Sequence, residues 1–291
     1  MDREPKRGWQ VAMLRPIWPD MIRLISILAV LLIAAPASAA PKSELWPRWQ
    51  AHDPAATQAV DHTPWDRLLK AYLVIGEDGI NRFAYGQVSN ADRQALEDYV
   101  AALAATPVSS LARPEQMAYW INLYNALTVA VIVRHYPVAS IRDIDISPGF
   151  FADGPWGKKL VNIEGEEVGL DDIEHRILRP IWKDPRIHYA VNCASIGCPN
   201  LAPAAFRPAN LEAELTHAAR AFINHPRGAS VTDAGLVAST IYDWFQVDFG
   251  GDEAGVKMHL AQYATGDLAA ALKRGIAIDG YAYDWALNGA E

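Results

Sequence analysis

With 291 residues, 51% of them hydrophobic, the chain can bury a core and is not a disordered class of sequence. Its formal charge of −8 and its lack of any basic run argue against nucleic acid or anionic lipid as a partner.

Leu24 to Ala35 is an apolar run preceded by Arg23 and followed by Ala37-Ser38-Ala39, the layout of a secretory signal with its small-residue cleavage site. Cleavage is expected after Ala39, and residues 1–20 read as an over-extended beginning ahead of Met21-Ile22-Arg23. The apolar core is about 12 residues, short of the roughly 20 that a spanning helix needs; an uncleaved anchor is the alternative. Residues 1–39 carry five basic and three acidic side chains, so their removal takes the formal charge from −8 to −10. No later stretch is expected to cross a bilayer. The expected organisation is a signal at 1–39, a lead-in at 40–62 and one globular domain at 63–291, exported to a periplasm or secreted, with a small molecule or peptide as substrate.

The mature chain opens on a polar, proline-containing lead-in. Thr63-Pro64-Trp65-Asp66 predicts a helix start, with Thr63 as cap, Pro64 in the first turn and Asp66 completing a capping box. That helix is expected to reach Val74, with a turn at 76–79 and a short strand within 80–88. Ser89-Asn90-Ala91-Asp92 starts a second helix to Ala105. Residues 114–136 are apolar nearly all round and predict a central helix. Asn122 and Asn125 share one of its faces, and buried amides there need hydrogen-bond partners: a structural network, or the orientation of a catalytic group. A strand is expected at 138–146, then a loop carrying Phe150, Phe151 and Trp156, then a hairpin of 159–163 and 166–168 about Glu164-Gly165. A short helix at 169–179, stopped by Pro180, carries Asp171 and His175 at i,i+4 spacing. Helices follow at 209–224, 252–265 and 268–274, with strands within 230–241 and 276–285.

Between these lies Asp184 to Pro199, which holds both cysteines and one of the eight histidines. Ile187, Tyr189 and Val191 alternate with polar or small residues, the two-residue period of a strand, which places His188 and Asn192 on one face. Cys193 falls at its end, and Gly197 and Pro199 bracket Cys198 in a bent loop. In an oxidising compartment such a close pair tends to become a disulfide. Phosphate loops, dinucleotide fingerprints, paired-histidine zinc helices and nucleophile elbows are absent, and no cofactor is expected. What remains is thiol chemistry. A cysteine nucleophile needs its thiolate stabilised by a histidine, which a third polar group holds. Cys193 or Cys198, with His188 or His175, and with Asp171, Asn122, Asn125 or Asn192 as the orienting group, would supply the parts.

The chain resembles the domain-of-unknown-function 547 family (DUF547) over roughly residues 60–288. The resemblance rests on residues 119–127, on Leu170-Asp171-Asp172-Ile173-Glu174-His175 with 177–179, and on 184–188 through Cys193 to Cys198-Pro199. Further anchors are Trp244-Phe245 with Asp248-Phe249, and Tyr283 to Asn288. It implies an exported bacterial protein of unestablished activity and a relation to papain-like or transglutaminase-like cysteine enzymes. The expected fold is a single α+β domain with the central apolar helix packed on a mostly antiparallel sheet. Two positions depart from the family's tendency to serine: Gly169 before Leu170-Asp171-Asp172, and Gly197 before Cys198. Glycine at 197 puts any role for a hydroxyl there in doubt. Papain-like enzymes also place cysteine before histidine, whereas His175 and His188 precede both cysteines here. Three readings follow. One is a cysteine-dependent hydrolase or acyltransferase acting on amide bonds. Another is a disulfide-stapled, non-catalytic binding or scaffold domain. The last is a zinc site of Cys193, Cys198, His188 and His175. Trp244 and Trp285 are expected as core packing, and Asp243 and Asp248 as turn or capping residues.

Overall fold

Every residue from Glu115 to Val133 is buried, so the apolar run forms a helix, Arg113–His135, enclosed on all sides. The computed structural model describes residues 41–149 and 153–290; the signal-like stretch at 1–39 and Phe150 and Phe151 of the aromatic loop lie outside the described residues. By length and composition this helix could cross a membrane, but its whole apolar window is buried in the protein. Ahead of it come α1 (Thr63–Tyr72), the antiparallel pair β1 (Leu73–Ile75) and β2 (Asn81–Phe83), and α2 (Asn90–Ala104); the central helix is α3. Ser89 caps α2 as expected, accepting the Asp92 N–H at 3.1 Å. Thr63 does not cap α1, and no capping box forms there. Asp66 instead accepts from the Ala205 N–H at 2.7 Å and from Arg207 at 2.5 Å, which ties α1 to the loop ahead of the next long helix.

The strand expected at 138–146 is a 3-10 turn, Ile141–Asp143. Ser140 and Asp143 cap it reciprocally, a local bonding that wins over extended pairing. The hairpin forms as the sequence predicts, with β3 (Lys159–Ile163) and β4 (Glu166–Gly169) joined through Glu164 and Gly165, both at positive φ.

The following helix passes through Pro180 rather than stopping there. Residues Asp172–Leu178 are π-helical and continue as α4 (Arg179–Trp182). Proline offers no N–H to the carbonyls one turn back. Those of His175 and Arg176 accept instead from the backbone N–H groups of Glu44 and Trp46, each at 2.9 Å. The lead-in thus supplies the donors that Pro180 lacks.

Ile187–Ala190 is a helical turn, α5, not the strand its alternation suggests. Asp184 starts it: one carboxylate oxygen accepts the Arg186 N–H at 2.9 Å, and the Asp184 carbonyl accepts the Ile187 N–H at 3.1 Å. Periodicity misleads here because the turn is buried on every side. Ile187, Ala190 and Val191 enter the core built round α3, whereas Tyr189 enters a second core. That second core lies among α6 (Leu211–Ile223), β5 (Ala229–Val231), β6 (Leu236–Ser239), α7 (Ile241–Trp244), α8 (Glu253–Tyr263), α9 (Gly266–Lys273) and β7 (Ile278–Ala282). β5 and β6 are antiparallel, and β7 joins β6 in parallel. The fold is α+β, with its strands distributed over three small sheets rather than gathered beneath α3. Ala40–Glu291 is one compact unit.

Asn122 on α3 clamps the backbone of Phe206, donating to its carbonyl at 2.8 Å and accepting its N–H at 3.0 Å. Asn122→Ala strands both buried groups. It is expected to cost about 2–4 kcal/mol, read as a lower urea midpoint with an unchanged slope.

Candidate functional site

The two cores meet at the segment that carries the cysteines, and buried amides hold it. Asn125 on α3 donates to the Ala190 carbonyl at 2.9 Å and accepts the Asn192 N–H at 2.8 Å. Asn192 in turn donates to the Pro199 carbonyl at 2.6 Å and accepts the Ala194 N–H at 2.9 Å, so both ends of the loop are tied to one side chain. Asn122 and Asn125 are therefore backbone clamps. The C-terminal segment runs alongside: Ile196 and Gly197 donate to the carbonyls of Ala286 and Asp284, each at 2.8 Å. A Cβ on Gly197 would meet the Asp284 backbone at 2.7 Å, so this close pairing requires glycine. Ala194 sits at φ 60°, a left-handed conformation unusual for alanine, directly after Cys193.

Within this frame the sulfurs of Cys193 and Cys198 are 3.1 Å apart and unbridged. Cys198 is 4% exposed, whereas Cys193 is half-buried. The Cys193 sulfur also lies 3.0 Å from the Tyr283 hydroxyl and 3.3 Å from the Ser195 hydroxyl, which are 2.8 Å from each other. Each hydroxyl has one hydrogen. When Tyr283 donates to the sulfur, Ser195 donates either to the sulfur or to the Tyr283 oxygen, and both arrangements favour a thiolate at Cys193. The thiol of Cys193 is lowered by hydrogen bonding with Cys198 and, less, with Ser195 and Tyr283, against the opposing effect of burial. Burial pushes the Cys198 thiol up, and the neighbouring Cys193 adds to it. The pair is asymmetric: a half-buried cysteine inclined to ionise stands beside an enclosed one inclined to stay protonated.

The histidines belong to a different cluster. His188 stacks on Phe245 at 4.4 Å, and its two nitrogens face Asp248 at 2.7 Å and Glu174 at 3.4 Å. Arg179, 4% exposed, donates to Asp248 at 2.6 Å and to Nδ1 of His175 at 2.9 Å. That leaves Nε2 of His175 as the protonated nitrogen, 3.7 Å from Asp171. Burial, reinforced by Glu174 and Asp172, raises the Asp171 carboxyl to about 6. Burial lowers His175 to about 4. Burial would also lower His188, but its bonds to Asp248 and Glu174 raise it overall. Burial opposes ionisation of Glu174 and Asp248, yet the surrounding imidazoles and Arg179 bring each to about 2.

The structure therefore brings Cys193 and Cys198 together, and His175 with Asp171, but no hydrogen bond joins either sulfur to His175 or His188. Among the described residues no group of three or more histidine, cysteine or acidic side chains is placed to hold a metal ion, so the four-ligand zinc set does not assemble. Asp248 lies in a 3-10 turn, Gln246–Phe249, as expected, and is also the ion-pair partner of both Arg179 and His188. Trp244 and Trp285 pack against the two cores as expected, though half-buried, and with Trp156 and Tyr283 form a continuous aromatic row whose Tyr283 reaches Cys193. The sequence reading missed Ser195, Glu174 and Arg179 as members of these clusters, and gave Tyr283 no role. The signal for Tyr283, Glu174 and Arg179 was their place in the quoted family segments. Ser195, between the cysteines, carried none of its own.

Two cavities lie apart from this chemistry. One of about 60 Å³ is lined by Tyr189, Phe206, His217 and Phe222, and one of about 370 Å³ by Leu69, Leu73, Ile75 and Pro203.

Residues 108–223 match the model of a family described as "Protein of unknown function, DUF547". Over this segment the chain is similar to DUF547. It contains α3 with its two asparagine clamps, both histidines and both cysteines. Asp248, Tyr283 and Asn288, which complete the clusters, fall outside the DUF547 segment. No curated protein and no solved structure matches the chain.

His188→Leu leaves the buried Glu174, and the half-buried Asp248 beside it, without this cation and is expected to cost about 3–5 kcal/mol. The sign of the pH dependence follows from the shifts. Glu174 and Asp248 are depressed, so their contribution is full above the ordinary carboxylate range and fades as the pH falls through about 2. His188 is raised, so its contribution is complete below its ordinary value of about 6.5 and is lost as the pH rises through the folded value. Urea midpoints of wild type and variant across this range should therefore lie furthest apart in weak acid and converge in alkali.

Proposed function

We propose that the protein is a cysteine-dependent hydrolase or acyltransferase acting on amide bonds, with Cys193 rather than Cys198 as its nucleophile. The observation that carries this reading is the half-buried Cys193 sulfur, set 3.1 Å from Cys198, 3.0 Å from Tyr283 and 3.3 Å from Ser195. Once Cys193 is ionised, the Cys198 thiol and the Tyr283 and Ser195 hydroxyls can turn their hydrogens toward its sulfur and do the work that an imidazole does in a cysteine–histidine pair: they hold the anion. In the proposed step the Cys193 sulfur attacks an acyl carbon, a C–S bond forms, and the C–N bond breaks. The departing amine takes a proton from the Tyr283 hydroxyl or from water. Water or an acceptor nucleophile then cleaves the thioester, and the sulfur leaves as thiolate. The half-buried row of Trp156, Trp285, Tyr283 and Trp244 offers a peptide or small-molecule substrate apolar area beside the sulfur.

A non-catalytic, stapled binding domain is the second reading, favoured by the contact between the two sulfurs. Export after cleavage behind Ala39 belongs to both, and N-terminal sequencing of the protein recovered from its compartment tests it: Ala40 as first residue supports it, and an intact Met1 or Met21 in the cytosol sinks it.

Alkylation with iodoacetamide as a function of pH separates the two readings. One thiol is expected to react quickly near neutral pH, to disappear in Cys193→Ser and to persist in Cys198→Ser with a higher apparent pKa. Tyr283→Phe should raise that pKa as well, about tenfold in rate at pH 7 for each unit. Amine release from a panel of peptide amides should fall by about 10³-fold or more in Cys193→Ala. Two equally sluggish thiols, or amide cleavage indifferent to Cys193, would overturn the enzyme reading.

A further inference from the structure

We infer that Cys193 and Cys198 close into a reversible disulfide that caps the nucleophile, so that the site works as a dithiol and is silenced by oxidation. The consequence for activity rests on the reading of Cys193 as nucleophile; the bond itself rests on the geometry of the loop. The sulfurs stand 3.1 Å apart, about 1 Å beyond a disulfide's bond length of about 2.05 Å. The backbone between them is already bent into place. The Cys193 N–H points at the Cys198 sulfur at 3.0 Å, Cys198 donates to the Ser195 carbonyl at 3.1 Å, and Asn192 ties Ala194 to Pro199. Closure therefore needs side-chain rotation and leaves these clamps intact.

Reversibility follows from two features. The loop is short, and short loops gain least stability from cross-linking, so a permanent staple here would add less to the fold than a long-range one. The cysteines are also unequally placed, as an attacking and a resolving thiol must be. Cys193 meets solvent and Cys198 does not. A low-molecular-weight disulfide is thus attacked by the Cys193 thiolate, which bonds to one sulfur and expels the other as thiolate. Cys198 then gives up its proton and attacks the Cys193 sulfur, expelling the second thiolate. Two protein thiols are oxidised and one external disulfide is reduced to two thiols. In the closed form Cys193 has no anion for Tyr283 and Ser195 to hold, and no electron pair for an acyl carbon.

The test uses the full chain equilibrated in buffers of reduced and oxidised glutathione, with thiols counted by alkylation and mass. Wild type is expected to pass from two alkylated thiols to none, with the mass of two hydrogens lost and no glutathione retained. Rapid Cys193 alkylation should vanish with it and return with reductant. Cys198→Ser, with Cys198→Ala as a second variant, should stop at a stable glutathione adduct on Cys193. Wild type that keeps both thiols, or retains the adduct, overturns the inference while leaving a fast-reacting Cys193 intact as a nucleophile. A disulfide that glutathione cannot reopen overturns the reversibility. A reversible disulfide in a protein whose amide cleavage ignores Cys193→Ala leaves the bond standing and removes the proposed enzyme.

Discussion

The amide of Asn125 is the link on which the placement of the cysteines depends. It spans from the buried central helix to the backbone on either side of Val191, two residues before Cys193. Its partners have no water to turn to, and each stranded group would cost about 1–3 kcal/mol. A helix enclosed on every face cannot easily shift, so what it clamps is held with similar firmness. Asn192 extends the same device by one step, from the clamped segment after α5 to both ends of the loop. Asn288 extends it again: its Nδ2 donates to Asn192 at 3.3 Å, and its oxygen accepts from Tyr85 at 2.8 Å. Rigidity thus passes from a hydrophobic core to a thiol through side-chain amides, which suits a site whose donors must sit within hydrogen-bond distance of one sulfur.

The charged cluster around His188 obeys a different logic. Glu174, Arg179 and His188 are taken out of water, a heavy cost that ion pairing offsets only when every charge is matched. Here the matching is close: Asp248 bridges Arg179 and His188, and Glu174 takes the other nitrogen of His188. Such an imidazole cannot also serve a thiol. Arg179 does one thing more, donating to the Pro41 carbonyl at 2.9 Å, while the neighbouring carbonyls of His175 and Arg176 receive Glu44 and Trp46. The π-helical turn, its proline and the lead-in therefore stand or fall together.

Much of this was legible in the sequence, and the failures share a cause. The central helix, the Ser89 cap and the hairpin about Glu164-Gly165 could be read because local pattern and tertiary setting agree there. α5 could not: its residues are buried on all sides, and a period carries no information where no face meets water. Pro180 was read as a stop because the donors that rescue the helix come from about 130 residues earlier in the chain. The closeness of the two cysteines and the need of both asparagines for buried partners were legible. The pairing of histidine with cysteine was not, since Asp248 and Tyr283 reach their partners across 60 and 90 residues and only a folded chain decides which group wins.

Gly197 shows how a local departure and the thiol chemistry fit together. A serine there would bring its Cβ to 2.7 Å from the Asp284 nitrogen and 2.9 Å from its oxygen, too close for the pairing that the Gly197 N–H makes with that same oxygen. The C-terminal segment would have to move away, and Tyr283, the residue before Asp284, would move with it. The hydroxyl absent at 197 is not missed at the sulfur, because Ser195 already supplies one at 3.3 Å. The glycine thus allows a close approach of backbone to backbone that keeps the Tyr283 hydroxyl on Cys193.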